Sequence, residues 1–457
     1  MIHKFSMNGV NIALDVYSGA VHVIDDIAYE ILEANHDVHS FRKDKEEIIE
    51  ILEGRYTLRQ IEDAYGEIRQ LIEEGLLFTE DPYSSYLKTW DKQSVIKALC
   101  LHIAHDCNLR CKYCFGATGS YKGDRALMSA EVGKKAIDFV IERSGKRRNI
   151  EIDFFGGEPL MNFDVVKEIV AYARSKEEQH RKNFRFTLTT NGILLNQEIK
   201  EYINDNMDNI VLSLDGTKEV NDRMRVRVNG RGCYDEIVPK FIDMAESRNQ
   251  DNYYVRGTFT RDNLDFGKDA LHLADLGFKQ TSIEPVVAPD GTSYEIREED
   301  LPAIFREYEK LAVEYVNRKK QGRGFNFFHF MLDLSQGPCV VKRLSGCGSG
   351  HEYVAVTPEG DIYPCHQFVG EPDFKMGDVF SGVFDAEISD KFQATNVYTK
   401  EDCKKCWAKF YCSGGCPANA YQLNRDIDKP YWIGCELERK RVECALMIQA
   451  ALYDENR

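Results

Sequence analysis

No stretch of eighteen consecutive apolar residues occurs in this chain of 457, so nothing in it reads as a membrane-spanning helix. The opening, Met1-Ile2-His3-Lys4-Phe5, lacks the continuous apolar region of a secretory signal, and nothing suggests export. Cationic residues are in deficit: 59 Lys plus Arg face 75 Asp plus Glu, a formal net charge of −16. Nucleic acid is bound by cations that neutralise phosphates, so the deficit argues against a nucleic-acid partner. A hydrophobic content of 43% and a charged fraction of 29% are those of a soluble globular protein, and the length calls for two or three domains.

Cysteine, in contrast, is abundant, with 14 in the chain. In a small secreted protein they would read as a disulfide scaffold. Here they are diluted in a long chain and bunched into spaced sets, which favours metal in a reducing compartment and a cytoplasmic enzyme. Cys107, Cys111 and Cys114 directly follow an apolar segment, 98–104, expected to be a buried strand. Three thiolates at the mouth of a strand can hold three irons of a 4Fe-4S cube, leaving the fourth iron to a ligand that is not protein. Zinc is the alternative, but a tetrahedral zinc site normally takes four protein ligands, and His102 and His105 precede the trio without completing it.

From 98 to about 320, strand and helix patterns alternate. Apolar or alternating runs at 99–104, 150–155, 186–190, 210–214, 254–259 and 281–287 are each followed by a helical stretch. Six β-α units imply a parallel sheet with helices outside and the active site at the C-terminal strand ends; a full barrel has eight, so this one is partial and open. The second strand runs into Gly156-Gly157-Glu158-Pro159, where two glycines admit close backbone approach and a carboxylate can meet an ammonium group. The third ends in Thr189-Thr190-Asn191-Gly192. The fourth ends in Ser213-Leu214-Asp215-Gly216, with Arg225 shortly after; Ser and Arg suit a carboxylate.

The first ninety-odd residues open with three strand-like pieces at 2–7, 10–16 and 20–24. Asn8-Gly9 and Ser18-Gly19, both hairpin-turn pairs, separate them. Helical patterns follow at 28–32 and 45–52 and from Thr57 to about Gly75. A hairpin sheet with three helices resembles a winged helix. Residues 1–95 nevertheless carry nine Lys plus Arg against nineteen Asp plus Glu, a poor balance for reading a duplex. An exposed edge strand beside a helix can accept an extended peptide instead. Residues 82–92 read as a linker.

After Gly337-Pro338 the remaining clustered thiols are Cys339, Cys347, Cys365, Cys403, Cys406, Cys412, Cys416 and Cys435. Cys-x2-Cys-x5-Cys-x3-Cys over 403–416, with Cys347 and Cys365 framing Gly360 upstream, is a strong metal signal; two sites of four thiolates is the simplest count, and zinc or Fe-S clusters would fill them equally well. Cys100, Cys233 and Cys444 stand apart and read as small apolar fillers.

The spacing Cys107-x3-Cys111-x-Tyr113-Cys114 resembles the signature of the radical S-adenosylmethionine enzymes, and the tail is similar to the SPASM pattern that adds auxiliary 4Fe-4S clusters to such a barrel. The resemblance implies an α/β chain: a partial (β/α)6 TIM barrel over 93–320, a winged-helix-like peptide-recognition domain over 1–92 and a cysteine-rich SPASM domain over 321–457. It implies that S-adenosylmethionine chelates the open iron beside Cys107, Cys111 and Cys114. Gly156, Gly157 and Glu158 would meet its amino group, Asn191 its ribose, and Ser213 and Arg225 its carboxylate. Cys403, Cys406, Cys412 and Cys435 would hold an outer cluster; Cys347, Cys365 and Cys416 an inner one, with Cys339 as a possible fourth ligand. The whole arrangement looks most like the maturases of the six-cysteine clostridial peptide. That implies a thioether formed between a Cys sulfur and a Thr carbon of a Cys-rich precursor through a 5′-deoxyadenosyl radical, with the leader bound by the N-terminal domain and a low-potential electron donor. Two other readings are a sulfatase-activating enzyme that makes formylglycine, and a zinc-stabilised peptide-binding protein without catalysis.

Overall fold

The computed structural model describes residues 1–89, 95–334 and 340–453. Strands β1 (Ile2–Met7), β2 (Val10–Asp15) and β3 (Val21–Ile24) form an antiparallel sheet in that order. Asn8 and Gly9 both take positive φ, as a two-residue hairpin turn between right-twisted strands requires. Helices α1 (Asp26–Asn35), α2 (Lys45–Leu52) and α3 (Leu58–Glu73) are each opened by a side chain that accepts from the first turn: Asp25, Asp44 and Thr57. The strand alternation splits this sheet into two apolar faces. Ala13 packs with Ile31, Ile48, Leu52, Ile61 and Ile68 of the helices. Phe5, Met7, Ile12 and Leu14 belong to the main core of the protein.

The N-terminal unit is therefore seated on the rest of the chain. The His3 ring stacks on Trp407 with centroids 3.6 Å apart and planes 3° from parallel, and its Nε2 lies 3.1 Å from a carboxylate oxygen of Glu443. The Tyr398 hydroxyl donates to Asp81 at 2.7 Å. The linker expected over 82–92 is replaced, in its described part, by helix α4 (Tyr83–Thr89). Tyr83 and Leu87, four apart, lie on one helix face and pack against the main core. Residues 90–92 lie outside the described residues.

The central strands β4 (Ala98–Ala104), β5 (Asn149–Gly156), β6 (Asn183–Thr190), β7 (Asn209–Ser213), β8 (Tyr253–Phe259) and β9 (Gln280–Pro285) are parallel and neighbour one another in chain order. Helices α5 (Ala130–Arg143), α6 (Phe163–His180), α7 (Gln197–Asn206), α8 (Lys218–Met224), α9 (Tyr234–Ser247) and α10 (Gly267–Asp275) make the crossovers. Consecutive order with helical crossovers is the barrel topology, and all six strands aim their C-terminal ends at one rim. The curved sheet stays open at both edges. Following α11 (Leu301–Lys320), a two-residue strand β10 (Asn326–Phe327) pairs parallel with β9. At the other edge β11 (Tyr353–Val356) pairs parallel with β4 and continues antiparallel into β12 (Asp361–Tyr363) and β13 (Gly377–Asp378). The cysteine-rich tail thus enters the central sheet, making it ten-stranded. A closing helix, Trp432–Tyr453, lies against α11 and buries Leu437, Val442, Cys444, Leu446 and Ile448. None of the helices is long and apolar enough to cross a membrane, among the described residues.

Candidate active site

The strand ends surround a cavity of about 550 Å³. One wall is the loop after β4. The Leu109–Arg227 bridge and backbone bonds from Arg110 to Val226 (2.6 Å) and Lys112 to Met224 (3.0 Å) tie that loop to the end of α8 and the segment after it. Cys107, Cys111 and Cys114 all face the cavity. Burial pushes the Cys107 thiol up to about 12 and Cys111 to about 11, so a metal would have to displace their protons on binding. His102 and His105 do not line the cavity. His102 Nδ1 meets His105 Nε2 at 3.0 Å, and both rings lie on Tyr121.

Beside the loop runs a glycine shelf. The Gly157 amide donates to Ala104 O at 2.7 Å and that of Glu158 to Asp106 O at 2.9 Å. A Cβ on Gly157 would sit 2.6 Å from the Asp106 carbonyl carbon and overlap its oxygen; one on Gly156, which has φ +124°, would overlap Ala104 O. Only glycine lets the two chains approach this closely. The Glu158 side chain lines the cavity and is also engaged by the protein around it. It is buried and accepts from Leu160 N (3.1 Å), Thr190 Oγ1 (2.8 Å) and Asn191 N (2.8 Å), locking the β5 and β6 ends together. Burial still pushes it up to about 7. Asn191 in turn donates to Asn108 Oδ1 at 2.8 Å and points its amide at Cys107 Sγ, 3.6 Å away.

Arg225 and Ser213 occupy the adjoining wall. Arg225 is buried, Nη1 donates to the Tyr113 hydroxyl at 2.9 Å, and Nε has no hydrogen-bond partner. Tyr113 Oη stands 2.6 Å from Asp215 Oδ2 and 2.9 Å from Oδ1, and Thr258 N also donates to Oδ1 at 3.1 Å. Asp215 is fully buried, and desolvation raises it to about 6 against the pull of Arg225. This partnership joins residues 102 positions apart, and its only cue in the sequence is the cluster of polar side chains at the end of β7.

The tail supplies the opposite wall. Its thiols form two neighbourhoods, Cys365 with Cys347 and Cys416, and Cys412 with Cys403, Cys406 and Cys435. Cys412, Cys416 and Cys435 line the cavity; Cys347, Cys365, Cys403 and Cys406 do not. Cys339 lies outside the described residues. Cys100, Cys233 and Cys444 are buried. Among the described residues, no three or more His, Cys, Asp or Glu side chains are gathered around a point where one metal ion would sit. Deeper in the cavity Glu284 meets His329 at 3.3 Å, Arg441 of the closing helix at 3.9 Å and Arg256 at 4.0 Å. Burial alone would raise Glu284, but His329, Arg441 and Arg256 overcome it and hold the carboxyl well below its usual range. Three thiols without a fourth side-chain ligand, a shelf closed to any Cβ and a guanidinium edge with no partner make a cradle that fits a cluster carrying an amino-acid chelate.

Residues 101–265 match the radical SAM superfamily and 347–407 match SPASM, an iron-sulfur cluster-binding domain. A cysteine-type anaerobic sulfatase-maturating enzyme of Clostridium novyi is 24% identical over 69% of this chain and 86% of its own length. The radical SAM cyclopropyl synthase TigE of Paramaledivibacter caminithermalis is 22% identical over 70% of this chain and 68% of its own. Among solved structures, native anSMEcpe with bound AdoMet and the Cp18Cys peptide superposes with a TM-score of 0.64 at 18% identity, covering 79% of this chain and 99% of that one. That likeness is one of fold.

Proposed function

We propose, for a chain that carries a radical SAM domain and a SPASM domain, the modification of a ribosomally made Cys-rich peptide by forming a thioether between a Cys sulfur and a Thr carbon. When bound, the clusters and S-adenosylmethionine supply one-electron chemistry that takes a hydrogen atom from an unactivated carbon and passes electrons between centres. Everything else falls to the chain. Cys107, Cys111 and Cys114 would hold the cluster that carries the cofactor. Gly156 and Gly157 would present backbone to its amino group, and Glu158, which lines the same cavity, would offer it a carboxylate oxygen. Arg225 Nε and Ser213 would take its carboxylate, and Asn191 would lie towards its ribose. Cys347, Cys365 and Cys416 would hold the inner auxiliary cluster, and Cys403, Cys406, Cys412 and Cys435 the outer one.

The observation that carries the reading is one cavity with the cysteine trio on one wall and Cys412, Cys416 and Cys435 on the other. A peptide side chain placed between them would lie within reach of both kinds of centre, with water displaced by the cavity walls. The β3 edge of the seated N-terminal sheet would pair with a leader segment, a low-potential donor would supply electrons, and the enzyme would work in the cytoplasm. The relatives support a second reading equally, oxidation of a Cys side chain to formylglycine, since the Clostridium novyi protein is named for sulfatase maturation.

Protein purified without oxygen should contain about twelve irons per chain for three 4Fe-4S clusters. Incubated with S-adenosylmethionine, dithionite and a Cys-rich precursor peptide, it should remove two hydrogens from the peptide per crosslink. An aldehyde in place of a Cys side chain would transfer the assignment to the second reading. Zinc in place of iron, with no deoxyadenosine released, would reject both.

A further inference from the structure

The tyrosine between the second and third cysteines of the trio has a hydroxyl in an unusual position. Arg225 and Asp215, a buried cation and a buried anion, face each other at 3.8 Å and do not close into the two-point pair that a guanidinium and a carboxylate usually form. The Tyr113 hydroxyl occupies the space between them. It has one proton, which goes to Asp215, with Oδ2 the nearer oxygen at 2.6 Å; its lone pair then accepts from Arg225 Nη1 at 2.9 Å. The chain of hydrogen bonds thus has one direction, from Arg225 through Tyr113 to Asp215. Thr258 N fixes the far end by donating to Asp215 Oδ1. Glu158, the other buried carboxylate near Arg225, is held by Leu160, Thr190 and Asn191. As a result Arg225 Nε is buried in the cavity wall without a partner, although an unmade hydrogen bond there is costly.

We propose that Tyr113 is a positioning residue whose hydroxyl is a spacer: it holds Arg225 off Asp215 and keeps the guanidinium open to the carboxylate of a ligand in the cavity. Without the hydroxyl, Arg225 closes onto Asp215 and the carboxylate site is filled by the protein's own anion. The spacer also links the cysteine loop to the β7 end, so the loop's geometry and the carboxylate site are set together. This inference rests on Arg225 being the carboxylate contact of S-adenosylmethionine.

The test is equilibrium dialysis of the iron-loaded, unreduced enzyme with S-adenosylmethionine and, in parallel, with decarboxylated S-adenosylmethionine. Tyr113→Phe should keep its iron and visible spectrum, bind S-adenosylmethionine about tenfold more weakly, and bind the decarboxylated analogue as the parent does. Adding Asp215→Asn to Tyr113→Phe should recover most of the lost affinity, because the competing anion is gone; a merely structural tyrosine would show no such rescue. Unchanged affinity in Tyr113→Phe, or equal losses for both ligands, overturns the proposal. Should Tyr113→Phe fail to hold iron, Asp215→Asn alone decides: affinity within about threefold of the parent supports the spacer, and a tenfold loss refutes it. If the parent enzyme itself binds the two ligands equally, the assignment of Arg225 fails, and the spacer role with it; that result is distinguishable because it appears before any substitution is made.

Discussion

Replacing Gly157 by Ala tests how the cavity is built. Gly157 does not lie in the left-handed region, so the added methyl group brings no backbone strain of its own. The whole effect comes from space. The new Cβ would lie 2.6 Å from the Asp106 carbonyl carbon and 3.2 Å from Cys107 Cβ. Carbon atoms rest at about 3.5–4 Å, so the segment at Asp106 must retreat by roughly 1 Å. Retreat stretches the Glu158 N to Asp106 O bond of 2.9 Å and carries Cys107 with it. Overpacking of this kind costs about 1–3 kcal/mol in stability, and a displacement of about 1 Å at a reacting centre costs on the order of a hundredfold in rate. Gly157→Ala should therefore stay folded, lose iron from the trio, and cleave S-adenosylmethionine about a hundredfold more slowly. Gly66→Ala is the control: the residue lies in α3 with nothing within 4 Å of the new Cβ, and the change should stabilise the chain by about 0.5–1 kcal/mol. Full iron content with undiminished cleavage in Gly157→Ala would refute the claim that the shelf sets the position of the cysteine loop.

Glu284→Gln leaves Arg441 and Arg256 without their shared anion; with the Glu284 side chain 27% exposed, the cost is about 2 kcal/mol, below the figure for a fully buried pair. Because pairing depresses the carboxyl, its contribution is fully present above about pH 4.3 and is lost as pH falls further. The gap between parent and variant in urea unfolding should narrow below that pH, and a gap that widens there would overturn the assignment. His3→Ala removes a ring stacked on Trp407 and should loosen the N-terminal seat by about 0.5–1.5 kcal/mol. Faster amide exchange in β1 and α4 with little change in β5 and β6 is the expected pattern; uniform protection would show that the stack contributes nothing. Cys403→Ala/Cys406→Ala should remove about four irons while Cys107→Ala/Cys111→Ala/Cys114→Ala removes a different four, and identical losses would mean that the sets are not separate.

Much of the scaffold was legible because it is written in short-range terms. Asn8-Gly9 sits where a hairpin demands positive φ, and each of the six barrel strands appears as an apolar or alternating run ahead of a helical pattern. What escaped depends on distant partners. β11 has four residues and β12 three; β11 is held by the open edge of β4, and β12 in turn by β11. Helix α4 was read as linker because its apolar residues gain meaning only against the main core, Tyr83 packing against Phe410 of the tail. At the site, residue types were informative and side-chain directions were not. Glu158 lines the cavity and at the same time braces the β6 end, a second engagement that no local pattern shows. Asp215 has no role assigned by the sequence pattern, because Tyr113, 102 positions earlier, and Arg225 complete it.

The seating of the N-terminal sheet bears on how a peptide would be handled. Phe5, Met7, Ile12 and Leu14 share one core with Leu437 and Val442 of the closing helix, while β11 and β12 join the tail to the barrel. A recognition module on a flexible tether would raise the local concentration of substrate and leave the site of attack to the peptide's own reach. A seated module sets the distance between the β3 edge and the cavity. Lengthening a bound precursor by two Gly residues between its leader and the modified segment should then shift the modification to a residue nearer the leader, with total turnover little changed. A tether predicts the same residue modified at nearly the same rate, because loop closure depends only weakly on length. Tandem mass spectrometry of the two products separates these outcomes, and an unshifted site would mean that the contacts of His3 and Tyr398 hold the fold together without measuring the substrate.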